Sequence, residues 1–223
     1  PPELAAAEAV VGAAHQAAVE SFLATNAIPT ESVDVIGFHG QTVFHTPERG
    51  LTVQLGDGTA LATAVGIPVV YDLRAADVAA GGQGAPLVPV YHRALAAASG
   101  LPLPLAVLNL GGVGNLTLID AHGGLVAFDT GPANALLDDL MAERTGRPRD
   151  EDGATAAAGT VDEAALARLM DHPYFARPVP KSLDRNAFSR APVDALPTAD
   201  AAATLTAFTA EAVARGLEVA GAP

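Results

Sequence analysis

Three short polar segments, each directly after an apolar stretch, carry the side chains best suited to chemistry. The first is GFHGQT at residues 37–42, in which His39 and Gln41 can exchange hydrogen bonds with sugar hydroxyls, while Gly40 permits close approach of a ligand. Ligands of α/β proteins bind beyond the carboxyl ends of strands, where this segment is expected to lie. A polar turn with a hydrogen-bonded histidine is the alternative interpretation.

The second segment is DLRAAD at residues 72–77, which runs into the glycine-rich stretch AAGGQGAP at residues 79–86. The planar guanidinium of Arg74 matches a carboxylate, so a carboxylate ligand is one interpretation. A surface ion pair of Arg74 with Asp72 or Asp77 is the other. No Gly-Lys-Ser/Thr follows the glycines, so this stretch is not a Walker-type phosphate loop.

The third segment is FDTGPAN at residues 128–134, where Asp129 follows an apolar strand and precedes a helix. A carboxylate in that place is expected to face a crevice near helix amides, where it could hold a water molecule or accept its proton. The alternative is that Asp129 or Thr130 merely caps the helix.

Two further segments give weaker signals. NLGGVGN at residues 109–115 joins two predicted strands rather than a strand and a helix, which disfavours a dinucleotide fingerprint. KSLDR at residues 181–185 concentrates two cations and a hydroxyl, and a solvated loop is the favoured interpretation.

Composition excludes several classes of function. The 223 residues are 50% apolar, which permits a sizeable core, and the formal net charge of -13 disfavours nucleic-acid binding through a basic face. No apolar run is long enough to span a bilayer, so no membrane association is expected. The absence of cysteine removes disulfide and thiolate chemistry and fits a reducing cytoplasm. No metal site is assigned, because metal-ligand spacing is lacking among the six histidines, His15, His39, His45, His92, His122 and His172.

Hydrophobic periodicity and turn residues predict alternating helices and strands. A change of pattern near residue 100 suggests two domains, 1–100 and 101–223, the second opening with a three-stranded antiparallel meander. Residues 129–132 are expected to end its last strand, 145–160 to form a surface loop and 172–188 to be irregular. The predicted helices are 3–25, 59–65, 87–98, 133–144, 161–170 and 198–218, and the predicted strands are 33–38, 43–45, 51–55, 67–71, 105–110, 115–119 and 125–128.

Six stretches together resemble the anhydro-N-acetylmuramic acid kinase family, in family order and with family-like spacing. The resemblance implies an α/β fold of the sugar kinase and actin superfamily, with two ribonuclease-H-like domains and a cleft, here incomplete. It also implies a cytoplasmic, homodimeric enzyme that uses ATP and Mg²⁺ to open 1,6-anhydro-N-acetylmuramic acid with water and form N-acetylmuramic acid 6-phosphate. The stretches are 36–42, 52–57, 72–92, 108–118, 128–134 and 172–188.

The resemblance also assigns roles to particular residues. Asp129 matches the catalytic carboxylate of the family and is expected to act as a general base on water. Arg74 is expected to bind the lactyl carboxylate of the muramic sugar. The other residues expected on the sugar side are His39, Gln41, Asp77, Gln83 and Asn134, and those expected at the nucleotide are Gly111, Gly112 and Asn115.

Some positions depart from the family pattern. Ala133 replaces a glycine after the Asp129 motif, and Ala75 and Ala76 stand where arginines are common. The Gly-Thr-Ser-x-Asp-Gly phosphate turn that opens family members and their C-terminal Gly-Gly-Gly run have no match. We therefore expect residues 1–223 to be a central portion that is inactive alone. Two other interpretations stay open: a related sugar kinase, and a non-catalytic sugar-binding protein.

Overall fold

A computed structural model describes residues 2–183 and 186–221. They form a mixed α/β structure with two two-stranded sheets and one three-stranded sheet, which confirms the predicted α/β class. The chain divides into two compact units between Leu87 and Val88. The helix predicted at 87–98 begins at Pro89 and lies in the second unit.

The first unit contains two small sheets and three helices. Strand β1 pairs in parallel with β4, and β2 pairs with β3 in the predicted hairpin, which turns through a single 3-10 turn at Pro47–Arg49. The carboxylate of Asp57 begins α2 by accepting the amides of Thr59 and Ala60. The elements are α1 (Pro2–Thr25), β1 (Ile36–Phe38), β2 (Gln41–Thr46), β3 (Leu51–Leu55), α2 (Gly58–Val65), β4 (Val69–Tyr71) and α3 (Leu73–Ala79).

One predicted boundary in this unit was wrong, and one helix was not predicted. Strand β1 begins at Ile36 rather than at residue 33, and β4 does not extend to Pro68, which has no N–H to continue the pairing. The segment that carries Arg74 and Asp77, for which no element was predicted, is helical.

The described residues of the second unit form a three-stranded antiparallel sheet and five α-helices. Its strand order, β5-β6-β7, confirms the predicted meander. The elements are α4 (Pro89–Ala98), β5 (Leu105–Leu110), β6 (Val113–Ile119), β7 (Leu125–Pro132), α5 (Asn134–Thr145), α6 (Ala154–Ala157), α7 (Glu163–Met170) and α8 (Thr198–Val219).

Helix α8 covers one face of this sheet. Phe128 and Thr130 of β7 point toward it, and Gly216 allows the close approach, because a Cβ there would lie 3.1 Å from Thr130 Cγ2 and 3.2 Å from the Phe128 ring. The core around α8 is apolar and aromatic. Its larger members include Leu140, Tyr174, Phe175, Phe188, Val193, Leu205 and Phe208.

Two boundary predictions in the second unit were also wrong. Strand β7 continues to Pro132 instead of ending in a turn at Asp129, because β6 begins at Val113 and provides partners for Gly131 and Pro132. The expected loop at 145–160 contains α6, whose first amides, those of Thr155 and Ala156, donate to the carboxylate of Asp150 at 2.8 and 2.9 Å.

Candidate active site

Asp129 lies near the end of β7 and is held by a segment distant in sequence. Its carboxylate Oδ2 accepts the amide of Leu183 at 2.7 Å, and its own amide donates to the carbonyl of Lys181 at 2.9 Å. The hydroxyl of Tyr174 donates to the carbonyl of Asp129 at 2.5 Å. Asp129 is half-buried, and burial raises the pKa of its carboxyl group, although the Leu183 hydrogen bond partly opposes the shift.

Neither Asp129 nor Thr130 caps the helix, so that alternative was wrong. Helix α5 begins at Asn134, and its N-cap residue is Ala133. The amides at this helix start donate instead to carbonyls of the turn between β5 and β6: Ala133 to Gly112 at 3.0 Å and Asn134 to Gly111 at 2.9 Å. The Asp129 carboxylate is therefore free of a capping role.

The sheet places Asp129 beside two asparagines. In the ladder, Asn115 is opposite Asp129 and Asn109 is opposite Asn115, so the three side chains share one face. Because Phe128 and Thr130 point toward α8, Asp129 points to the other face. The Asn109–Asn115–Asp129 row thus forms a polar strip on the face opposite α8.

The glycine turn expected at the nucleotide is joined to the start of α5. Besides receiving the helix amides, the turn is tied by Asn134, whose side-chain amide donates to the carbonyl of Leu110 at 2.9 Å. A Cβ added at Gly112 would come no closer than 3.6 Å to Ala135, so a group could approach this peptide. The structure thus brings together Gly111, Gly112 and Asn134, with Asn115 on the neighbouring strand.

In the first unit, Arg74 and Asp77 both form hydrogen bonds with backbone groups of Gly84. The Arg74 Nη1 donates to the Gly84 carbonyl at 2.7 Å, and the Gly84 amide donates to Asp77 Oδ2 at 2.7 Å. Within the described residues Arg74 forms no ion pair with Asp72 or Asp77, so that alternative was wrong. The guanidinium has further N–H groups that could bind a carboxylate, and the exposed Gln83 precedes the held glycine.

A cavity of about 270 Å³ in the first unit is lined by His39, one of the residues predicted to contact the sugar, and by Gly40 of the same segment. The ring of His39 packs edge-on against His15 of α1 at 5.7 Å between centroids. Gln54 also lines the cavity, and its buried Oε1 atom accepts no hydrogen bond from the described residues. The lining consists of Phe38, His39, Gly40, Thr52, Val53, Gln54, Gly56, Tyr71, Asp72 and Ala75.

The five sugar-side candidates of the first unit do not share that cavity. Gln41, at the start of β2, is exposed, and neither it nor Arg74, Asp77 or Gln83 contributes to the lining. Their assignment to the sugar therefore stays a prediction.

The family comparison confirms the resemblance along nearly the whole chain. The sequence model of the family described as anhydro-N-acetylmuramic acid kinase matches residues 3–222. The chain belongs to this family.

Curated relatives carry the same family name. The chain is 62% identical over 217 residues to the anhydro-N-acetylmuramic acid kinase of Methylobacterium nodulans, covering 97% of this chain and 58% of that protein. It is 60% identical to that of Methylorubrum extorquens, covering 99% and 58%, and 59% identical to that of Rhizorhabdus wittichii, covering 100% and 60%. The chain thus spans about three fifths of the length of these relatives.

Sequence reasoning missed the residues that hold Asp129 and favoured a solvated loop at 181–185. Lys181 and Leu183 contact Asp129, whereas Asp184 and Arg185 lie outside the described residues. The signal available was that both residues fall in a stretch that resembles the family, as does Gln54. In the described part of the chain there is no group of three acidic or histidine side chains able to hold a metal, and no helix long and apolar enough to cross a membrane.

Proposed function

We propose that the protein is an ATP-dependent kinase that opens 1,6-anhydro-N-acetylmuramic acid with water and yields N-acetylmuramic acid 6-phosphate. Family membership and the names of the relatives support this reaction class. The structural observation that carries the proposal is the half-buried carboxylate of Asp129, which has no capping duty and points to a polar face of the sheet.

Asp129 is the proposed general base. Burial raises the pKa of its carboxyl group, which makes the carboxylate a stronger proton acceptor. It takes a proton from water as the water oxygen bonds to the anomeric carbon. The bond from that carbon to the bridging oxygen breaks, and the bridging oxygen keeps the electron pair as the 6-oxygen that is phosphorylated.

The turn at Gly111 and Gly112 is the proposed contact for ATP. Its carbonyls already accept amides of α5, so its N–H groups are what it could offer to phosphate oxygens. ATP would transfer its γ-phosphoryl group to this 6-oxygen and leave as ADP, and Mg²⁺ would neutralise charge on the phosphates.

The first unit is the proposed sugar-binding part, with contacts from His39, Gln41, Arg74, Asp77 and Gln83. Asn134 is proposed separately as a residue that contacts the sugar. Arg74 and Asp77 hold the loop that contains Gly84, so they would position Gln83 as well as contact the sugar. Gln54 is an additional candidate, since a sugar hydroxyl in the cavity could donate to its unpartnered Oε1.

Other expectations from the resemblance are also proposals. They are the ribonuclease-H-like topology, the cleft between two domains, a homodimer and a cytoplasmic location. The absence of cysteine and the use of ATP support the last of these.

Product analysis in heavy-oxygen water tests the proposed reaction. The full-length protein is supplied with ATP, Mg²⁺ and the anhydro sugar, and the product is read by mass spectrometry at short times. We expect one solvent oxygen at the anomeric carbon and a phosphoryl group on the 6-oxygen. Unlabelled product incubated alone measures spontaneous exchange, and a phosphorylated product without solvent oxygen above that control contradicts the hydrolytic step.

A further inference from the structure

Tyr174 is a core residue with its polar end at the candidate active site. It lies in the 3-10 turn Pro173–Ala176, is 1% exposed, and packs edge-on against Phe175 and Phe188. Its hydroxyl reaches the backbone carbonyl of Asp129. A buried tyrosine hydroxyl requires a partner, and here that partner is the backbone of the proposed general base.

The chain segment after Tyr174 forms two further hydrogen bonds with Asp129. Lys181 accepts the Asp129 amide through its carbonyl, and Leu183 donates its amide to the carboxylate. Lys181 is itself tied to Tyr174, because its Nζ donates to the Tyr174 carbonyl at 3.2 Å and lies 4.5 Å from the ring centroid. We call Tyr174, Lys181 and Leu183 the Asp129 clamp.

The clamp provides hydrogen-bond partners for Asp129 at the edge of β7 that does not pair with β6. Within the described residues β7 pairs with β6 on one side only, so outward-facing backbone groups of Asp129 would otherwise lack sheet partners. The clamp provides an acceptor for the Asp129 amide and a donor for its carbonyl. With both groups fixed, the peptide planes on either side of Asp129 are fixed, and so is the direction of its side chain.

We propose that Tyr174 is a positioning residue for Asp129: its hydroxyl fixes the Asp129 backbone so that the carboxylate meets the Leu183 amide and faces the polar strip. The effect on catalysis rests on the proposed function, whereas the effect on the geometry of Asp129 does not. No other side chain among the described residues donates to the Asp129 carbonyl.

The charges around the clamp leave this hydroxyl protonated. Burial and the nearby Asp129 raise the pKa of Tyr174, so it stays a donor while the carboxyl group of Asp129 titrates. The cations that face the clamp are Lys181, whose pKa burial lowers, together with Arg177 and, from α8, Arg215.

Tyr174→Phe in the full-length protein tests the proposal, because it removes one oxygen and leaves the ring in the core. We expect kcat to fall about 10- to 100-fold, as for small misplacements of a catalytic group, with KM for both substrates within about twofold. In a sample labelled with ¹⁵N-leucine, the Leu183 amide signal should lose its protection from hydrogen exchange and its dependence on pH. Tyr91→Phe on α4 removes an exposed hydroxyl and is the matched control, expected to match the parent in all readouts.

Two readouts separate failure of this inference from failure of the proposed function. A parent protein that does not convert the anhydro sugar contradicts the function, and the Leu183 signal then decides on the clamp alone. With an active parent, an unchanged kcat or an unchanged Leu183 signal in Tyr174→Phe overturns the positioning role. If Tyr174→Phe does not fold, the hydroxyl proton of Tyr174 is followed by NMR in the folded parent. Slow exchange of this proton with solvent is expected, and exchange as fast as that of the exposed Tyr91 hydroxyl overturns the proposal.

Discussion

The amide of Leu183 donates to the carboxylate of Asp129 at 2.7 Å, although 54 positions separate the two residues in sequence. This hydrogen bond favours the ionised carboxylate, but burial disfavours it more, and the pKa of Asp129 is raised. In the folded protein, ionisation of this carboxyl group is therefore less favourable than in the unfolded chain. Such a group is typical of catalytic sites, where a shifted pKa serves proton transfer.

Asp129→Asn should make the fold more stable at neutral pH. Because the folded-state pKa of Asp129 is raised, its contribution to stability is fully present below the ordinary aspartate pKa of about 3.9 and is lost as pH rises through the folded pKa. Asparagine carries no charge and avoids this loss. Thermal melting at a series of pH values should show a higher Tm for the variant at pH 7, with the difference shrinking toward pH 3.5.

Asp150→Asn is the control, for which we expect the opposite change in Tm at pH 7. Burial alone would raise the pKa of Asp150, but hydrogen bonds from the amides of Ala156 and Thr155 outweigh it, and the pKa is lowered. Its stabilisation is present above the ordinary pKa and is lost as pH falls through the folded pKa. We expect Asp150→Asn to lower Tm at pH 7. If both variants have a lower Tm than the parent at pH 7, and this difference disappears in acid, Asp129 is a stabilising structural carboxylate.

Gly84→Ala should disturb the loop that Arg74 and Asp77 hold. The new Cβ would lie 2.8 Å from Val78 Cγ2, at a backbone φ of +67° that a side chain also strains. Overpacking of this kind costs about 1–3 kcal/mol. We expect a lower Tm and weaker binding of the anhydro sugar by calorimetry.

Gly81→Ala separates crowding from backbone strain. Gly81 has a φ of +88°, but no atom lies within 4 Å of a Cβ added there. Gly81→Ala should therefore affect sugar binding less than Gly84→Ala does. Equal effects of the two substitutions would mean that the Gly84 contacts do not shape the sugar site.

Arg74→Ala should weaken binding of the anhydromuramic sugar more than binding of the corresponding glucosamine sugar, which lacks the lactyl carboxylate. Hydrogen bonds between charged partners are worth about 1.5–3 kcal/mol. The matched control is Arg93→Ala, since Arg93 also donates to a glycine carbonyl, that of Gly123. Calorimetry with both sugars decides: equal weakening by Arg74→Ala would assign Arg74 to loop support through Gly84 alone.

Local sequence signals predicted the regular elements well. Strand β5 at Leu105–Leu110 was predicted with both of its ends, and the β2–β3 hairpin was placed by the turn residues around Gly50. These elements depend on hydrophobic runs and turn chemistry within a few residues. Helix α3 was missed because the glycines that follow it signal a loop, while the helix itself has few distinguishing residues.

The surroundings of Asp129 could not be predicted in the same way. The sequence placed a carboxylate near the end of a strand, but its partners Tyr174 and Leu183 come from a segment without periodicity. Side-chain-to-backbone contacts across such separations leave no spacing pattern in one sequence. The glycine turn that receives the α5 amides was equally hidden, since its role depends on the β5–β6 pairing.

Turnover of Asp129→Asn in the full-length protein, measured with ATP, Mg²⁺ and the anhydro sugar, tests whether Asp129 is the general base. We expect kcat to fall by roughly 10²–10⁴, as for loss of a general base. Sugar binding by calorimetry should change far less, because the amide keeps the shape of the carboxylate. Turnover within a few fold of the parent, in a variant that folds and binds the sugar, would show that Asp129 is not the base.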